Sequence, residues 1–116
     1  MSTNVAASEQ ITPVKNTEVR IVDCVMRDVM NIHIDKEVRH KLCNDLLDRA
    51  EVGYKRYGTY LQPHNGRDNF LDAYQECLDM AKYMRNQMEE TPGDPDLISH
   101  YSEVLDLCIY LCGKVK

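Results

Sequence analysis

Four acidic residues stand in two pairs at helical spacing, Asp48-x-x-Glu51 and Glu76-x-x-Asp79. Carboxylates three residues apart share a helix face, with Cβ atoms about 5–6 Å apart, so each pair could grip one hard cation or help bridge two. Mg²⁺ favours such oxygen ligands and fills its remaining positions with waters and phosphate oxygens. Two pairs on facing helices would therefore build a Mg²⁺–phosphate site. Asp72, four residues before Glu76, extends the second pair, and Asp45 stands three residues before Asp48. Glu51 is also a candidate base. Lys55, one turn beyond it, could reach a phosphate, and Arg67 could grip one bidentately. Tyr57 and Tyr83 could stack on a base. Each residue also has a plain structural reading: solvated helix face for the acids, surface charge for Lys55 and Arg67, packing for the tyrosines.

The elements that must position these groups are helices. Residues 1–16 are small and polar with Pro13 near their end, and they read as a flexible arm before a single domain over 17–116. Val22, Val25 and Val29, with Met26 and Met30, predict a helix over 18–31. Asp35 is placed to cap a second helix running to Tyr57, where Gly58 stops it. Leu42, Leu46, Ala50 and Tyr57 mark its apolar face. Gly53 inside that helix costs roughly 1 kcal/mol against Ala, which suggests a close neighbour or ligand there. Pro63 and Asn65-Gly66 make 59–66 a loop, and a third helix spans 67–90. Asp94-Pro95 supplies cap and first residue of a fourth, reaching about Gly113. Its Leu97, Ile98, Val104, Leu105, Cys108, Ile109 and Leu111 ask for burial on several sides. No strand set emerges, so the fold class is all-α with four helices.

Composition excludes several function classes. The 116 residues are 43% hydrophobic and 28% charged, the balance of an ordinary globular domain. A net charge of −5, from 14 basic and 19 acidic residues, argues against a nucleic-acid backbone as the main partner. No apolar run approaches the ~20 residues of a membrane span. The beginning MSTNVAASEQ lacks a basic and then apolar leader, and five cysteines suit reduced thiols, so a cytoplasmic location is expected. The four histidines show no metal-ligand spacing among themselves. There is no P-loop, no G-x-G-x-x-G and no G-x-S-x-G elbow.

One pattern is repeated. Y-x-E-x-L-D-x-x-x-Y-[ML] begins at Tyr74 and again 27 residues later at Tyr101. Either similar helices reuse similar words, or a helical unit is duplicated and Glu103 with Asp106 echoes the acidic pair.

The segment from Asp48 to Glu90 resembles the phage-type MazG-like nucleotide pyrophosphohydrolases. The more specific words are R-x-x-x-G-x-x-x-Y-G, on Arg49, Gly53, Tyr57 and Gly58, then Asn65-Gly66-Arg67-Asp68, then Asp72-Ala-Tyr-Gln-Glu76-Cys-Leu-Asp79. The family's motif is E-x-x-E, a variable gap, then E-x-x-D; here 24 residues separate Glu51 from Glu76. The resemblance implies a four-helix MazG-like bundle assembled as a dimer or tetramer. It implies Mg²⁺ on Asp48, Glu51, Glu76 and Asp79, and cleavage of a nucleoside triphosphate to monophosphate and pyrophosphate. For a phage-encoded chain the location would be the host cytoplasm. Asp48 replaces the family's first Glu and is one methylene shorter. The alternative is a non-catalytic protein on the same scaffold that sequesters a nucleotide or nucleotide-derived signal, or docks a protein partner. The shortened first acid and the apolar fourth helix favour it.

Overall fold

A computed structural model of the protein describes residues 5–115. Among them are a short 3₁₀ turn, Val5–Ala7, and four α-helices: α1 (Ile21–Met30), α2 (Lys36–Tyr57), α3 (Asn69–Glu90) and α4 (Pro95–Cys112). The described residues contain no strand, as the all-α reading expects. Of the stretch read as an arm, residues 1–4 lie outside the described residues, as does residue 116 of the domain. The chain divides into two compact units. One is Ile11–Arg67, with α1 and α2; the other takes in the segments on either side, with α3 and α4.

The caps follow the local chemistry. Asp35 accepts from the amides of Glu37 and Val38 at 2.8 and 3.3 Å, and Asp94 accepts from those of Asp96 and Leu97 at 3.0 and 3.2 Å, with Pro95 in the first turn. Gly58 ends α2 in the left-handed region at φ 73° and donates to the Tyr54 carbonyl at 2.7 Å. Two helices begin later than their patterns suggest. The Asn16 side chain accepts from the Glu18 amide at 2.8 Å, an Asx turn that holds the chain non-helical before Ile21. Asp68 accepts from the Leu71 amide at 3.1 Å and so caps α3 from outside the helix.

In the 11–67 unit, α1 packs on α2 and Val29 is buried. No residue of α2 is fully buried. Its half-buried positions are Arg39, Cys43, Leu46, Ala50, Gly53 and Tyr57, an alternation of four and three residues that marks one inward stripe. The loop after α2 is held by one amide. The Gln62 side chain accepts from the Asn16 amide at 3.1 Å and the Thr59 hydroxyl at 3.3 Å, and donates to the carbonyls of Asn16 and Glu18, both at 2.9 Å. All four of its hydrogen-bonding positions are thereby used inside the protein. Val14 donates to the Asn65 carbonyl and Ile21 to that of Leu61, each at 2.9 Å.

In the other unit, α3 and α4 form a hairpin around Cys77, Val104, Cys108 and Leu111, flanked by Tyr74, Leu78, Ala81 and Met84. On α4 the inward positions are Leu97, Tyr101, Val104, Cys108 and Leu111, again at four- and three-residue intervals. Burial on several sides of α4, expected from its composition, is found on one side. Leu105, Leu107, Ile109 and Tyr110 stay exposed, Ile109 at 71%. The segment before α1 is tied to α3 at its beginning: Gln75 donates to the carbonyls of Ala6 and Ser8 at 3.2 and 2.9 Å. Among the described residues no helix is long and apolar enough to cross a membrane.

Among the described residues the close neighbour expected at Gly53 is absent: an added Cβ meets no atom within 4 Å outside the helix's own backbone. Gly58, by contrast, holds a backbone angle that L side chains resist. Gly53→Ala should therefore stabilise the fold by up to about 1 kcal/mol, and Gly58→Ala should destabilise it by about 1 kcal/mol. Thermal melts of the two variants beside the parent check the opposite signs.

Candidate functional site

The sequence-predicted residues fall on two outward helix faces. On α2, Asp48, Glu51 and Lys55 are all exposed and lie opposite the inward stripe. Lys55 follows Glu51 by four residues, so it sits one turn along the same face. On α3, Glu76, Asp79 and Tyr83 repeat the arrangement: an acidic pair three residues apart, then a side chain four residues on. Tyr83 is 72% exposed. Each face thus carries two carboxylates and one group suited to a phosphate or a base. The packing positions Leu46, Ala50 and Tyr57 on α2, and Cys77, Ala81 and Met84 on α3, turn these faces outward.

The acids differ in their partners. Glu51 accepts a short hydrogen bond, 2.5 Å, from the Tyr60 hydroxyl. The Tyr60 ring lies against Tyr54, centroids 4.7 Å apart, and the Arg20 guanidinium carbon stands 4.8 Å from its centre. Arg20 is itself held bidentately by Asp23, with both contacts at 3.1 Å. Glu51 therefore belongs to a surface cluster of Tyr60, Tyr54, Arg20 and Asp23. Asp79 faces Lys82 at 3.6 Å. Asp72 is half-buried and accepts from the Gln10 side chain at 3.0 Å, while Gln10 also bonds both backbone groups of Asp68. That position makes Asp72 part of the α3 N-terminus as well as a candidate ligand.

Arg67 and Tyr57 lie together. The Arg67 guanidinium donates to the Ile11 carbonyl at 2.8 Å and stands 5.7 Å from the Tyr57 ring centre. Arg56 approaches the same ring at 5.0 Å. The half-buried Tyr57 ring is thus engaged with cations, whereas Tyr83 leaves its ring open to solvent. On the repeat, Glu103 and Asp106 are exposed as Glu76 and Asp79 are, and Glu103 faces His100 at 3.4 Å.

Tyr60 and Arg20 are the residues that sequence reasoning missed. Tyr60 lies beyond the Gly58 stop, nine positions from Glu51, so no helical spacing links the two. Within neither unit do three or more His, Cys, Asp and Glu side chains gather as a metal cluster, among the described residues. No model of a protein family, no curated protein and no solved structure matches the chain.

The Tyr60–Glu51 bond has a measurable electrostatic signature. A neutral phenol donates to the carboxylate; ionising it breaks the bond and sets two negative charges side by side. The hydrogen bond with Glu51, then partial burial, hold the Tyr60 hydroxyl above the usual tyrosine range. The contribution of this bond is present below that ordinary range and lost as pH rises through the elevated value. Glu51→Gln should lower the Tyr60 ionisation midpoint toward that of a free tyrosine. Ultraviolet phenolate titration, with Tyr60→Phe subtracted to isolate the signal, checks the direction.

Proposed function

We propose that the chain is a Mg²⁺-dependent nucleoside triphosphate pyrophosphohydrolase of the MazG-like kind, releasing a monophosphate and pyrophosphate. The observation that carries the reading is the acidic word repeated on α2 and α3: Asp48-x-x-Glu51 followed by Lys55, and Glu76-x-x-Asp79 followed by Tyr83, each on one exposed face. The family relation rests on the words between Asp48 and Glu90 and is compatible with the all-helical architecture.

The donor set suits the cation. Asp48, Glu51, Glu76 and Asp79 offer carboxylate oxygens only, the ligands Mg²⁺ prefers, and none of them is buried. When bound, Mg²⁺ neutralises triphosphate charge and acidifies a coordinated water. Lys55, exposed one turn from Glu51, supplies a cation for a phosphate. Glu51 is the base that takes the proton of the attacking water; its hydrogen bond from Tyr60 fixes one carboxylate oxygen and leaves the other to accept. Tyr83 offers an open ring for the nucleobase. Arg67, bonded to the Ile11 carbonyl and near Tyr57, acts on a phosphate after exchanging that carbonyl contact. Assembly as a dimer or tetramer is part of the same reading, supported by the exposed apolar residues Leu105, Leu107, Ile109 and Tyr110 of α4.

A second reading keeps the scaffold without turnover: the protein binds a nucleotide and returns it intact. The shortened first acid favours it: Asp48 stands where the resembled family carries a glutamate and is one methylene shorter.

Pyrophosphate release from a panel of ribo- and deoxynucleoside triphosphates, with Mg²⁺ and then with EDTA, separates the two. The expected result is Mg²⁺-dependent release that Glu76→Gln reduces on the order of 100-fold or more. No release from any triphosphate by the folded protein would overturn the enzyme and leave the binding reading.

A further inference from the structure

Hydrolysis as proposed makes no use of cysteine, yet two of the five thiols occupy the centre of the α3–α4 seam. Cys77 and Cys108 are 3% and 8% exposed, the most sheltered cysteines described. Buried free cysteine is ordinarily a small apolar filler. Here the two sulfurs come from different helices and face each other at 2.9 Å, within about 1 Å of a covalent S–S length. The Cys77 sulfur also meets the Val104 carbonyl at 3.6 Å, so its side chain points into the seam and not along its own helix. A disulfide needs two side chains that converge across an interface, and this pair converges. Cys24 and Cys43 lie in the other unit, and Cys112 is exposed at the end of α4, beside Tyr74.

We propose that Cys77 and Cys108 are an oxidation site: a small hydroperoxide joins them in an intramolecular disulfide that staples α3 to α4. Cys108, the less sheltered of the two, attacks the terminal oxygen of the hydroperoxide as its thiolate. The O–O bond breaks, Cys108 becomes a sulfenic acid, and the leaving alkoxide or hydroxide takes up the proton that the Cys108 thiol released and departs as an alcohol or water. The Cys77 sulfur then attacks the Cys108 sulfur, the S–S bond forms, and the leaving hydroxide takes the Cys77 proton as water. Two thiols are oxidised by two electrons in total, and one peroxide bond is reduced. Burial first, and then the neighbouring thiol, push Cys77 up to about 11, so it stays a thiol and is not the sulfur that the peroxide oxidises. The closed loop contains most of α3 and α4, so the bond constrains the unfolded chain while leaving the seam residues in place.

The test uses the full chain. Reduced protein is exposed to hydrogen peroxide, unfolded in denaturant with N-ethylmaleimide, and mapped by peptide mass. Three alkylated cysteines in place of five, a peptide containing Cys77 linked to one containing Cys108, and reversal by dithiothreitol are expected. The oxidised protein should melt on the order of 10 °C higher than the reduced one. One tryptic peptide, from Asn86 to Lys114, carries both Cys108 and Cys112, so Cys112→Ser assigns the bond. That substitution lies at an exposed position and should leave the linkage intact. Five alkylated thiols after peroxide, a linkage lost in Cys112→Ser, or a bond between two chains with Cys77 and Cys108 both alkylated would each overturn the proposal.

Discussion

The hairpin of α3 and α4 depends on a narrow seam in which small side chains let the helices approach. Cys77 meets Cys108 and the backbone of Val104 directly, and Ala81 lies in the same inward row. A bulkier residue at the Cys77 position would force the helices apart, because close-packed interiors have little slack for an added methylene. Everything else on α3 takes its direction from that row. With Cys77, Ala81 and Met84 turned inward, helical geometry leaves Glu76, Asp79 and Tyr83 no face but the outer one. The direction of that face is thus set by the residues packed behind it.

The same seam explains the repeated sequence word. Tyr74 and Tyr101, Cys77 and Val104, Ala81 and Cys108, Met84 and Leu111 are pairs 27 residues apart, and the members of each pair face inward on their own helices. Two helices with matching inward rows, antiparallel across one interface, pack as near-equivalents of each other. The acidic positions of the word then fall outward on both, Glu76 and Asp79 on α3, Glu103 and Asp106 on α4. Repetition of the packing positions accounts for the arrangement without assigning equal chemistry to the two acidic pairs. The surroundings differ: Tyr83 follows the first pair at 72% exposure, whereas Tyr110 in the second meets Phe70 edge-on at 6.5 Å.

What was legible in the sequence was local. Asp35, Gly58 and Asp94-Pro95 mark helix ends through hydrogen bonds that span only a few residues, and each does so in the structure. The outward placement of Asp48, Glu51, Glu76 and Asp79 was legible for the same reason, since spacing along one helix suffices to group them. Contacts between distant segments were not. Gln62 closes the loop after α2 by reaching Asn16 and Glu18, more than forty residues away along the chain. Nothing in its flanking residues distinguishes it from an exposed loop glutamine. Composition also overstated the burial of α4, because it counts apolar residues without showing that a single row of them meets α3.

Glu51 shows how a long-range contact changes the chemistry of a residue that spacing alone had selected. By helical position it is one of two outward acids on α2, equivalent to Asp79 on α3. Its partner is a phenol from beyond the helix end, whereas Asp79 has an exposed lysine on its own helix. A charged lysine three residues away is a mobile, solvent-screened neighbour worth a few tenths of a kcal/mol at most. A tyrosine hydroxyl held between Tyr54 and Arg20 is a directional donor, and it orders one oxygen of the carboxylate. Two acids of equal spacing therefore differ in surroundings: Glu51 is oriented by a residue from beyond its helix, and Asp79 only by a neighbour on its own helix. This difference in partners, set by Tyr60, is one that the E-x-x-D spacing does not show.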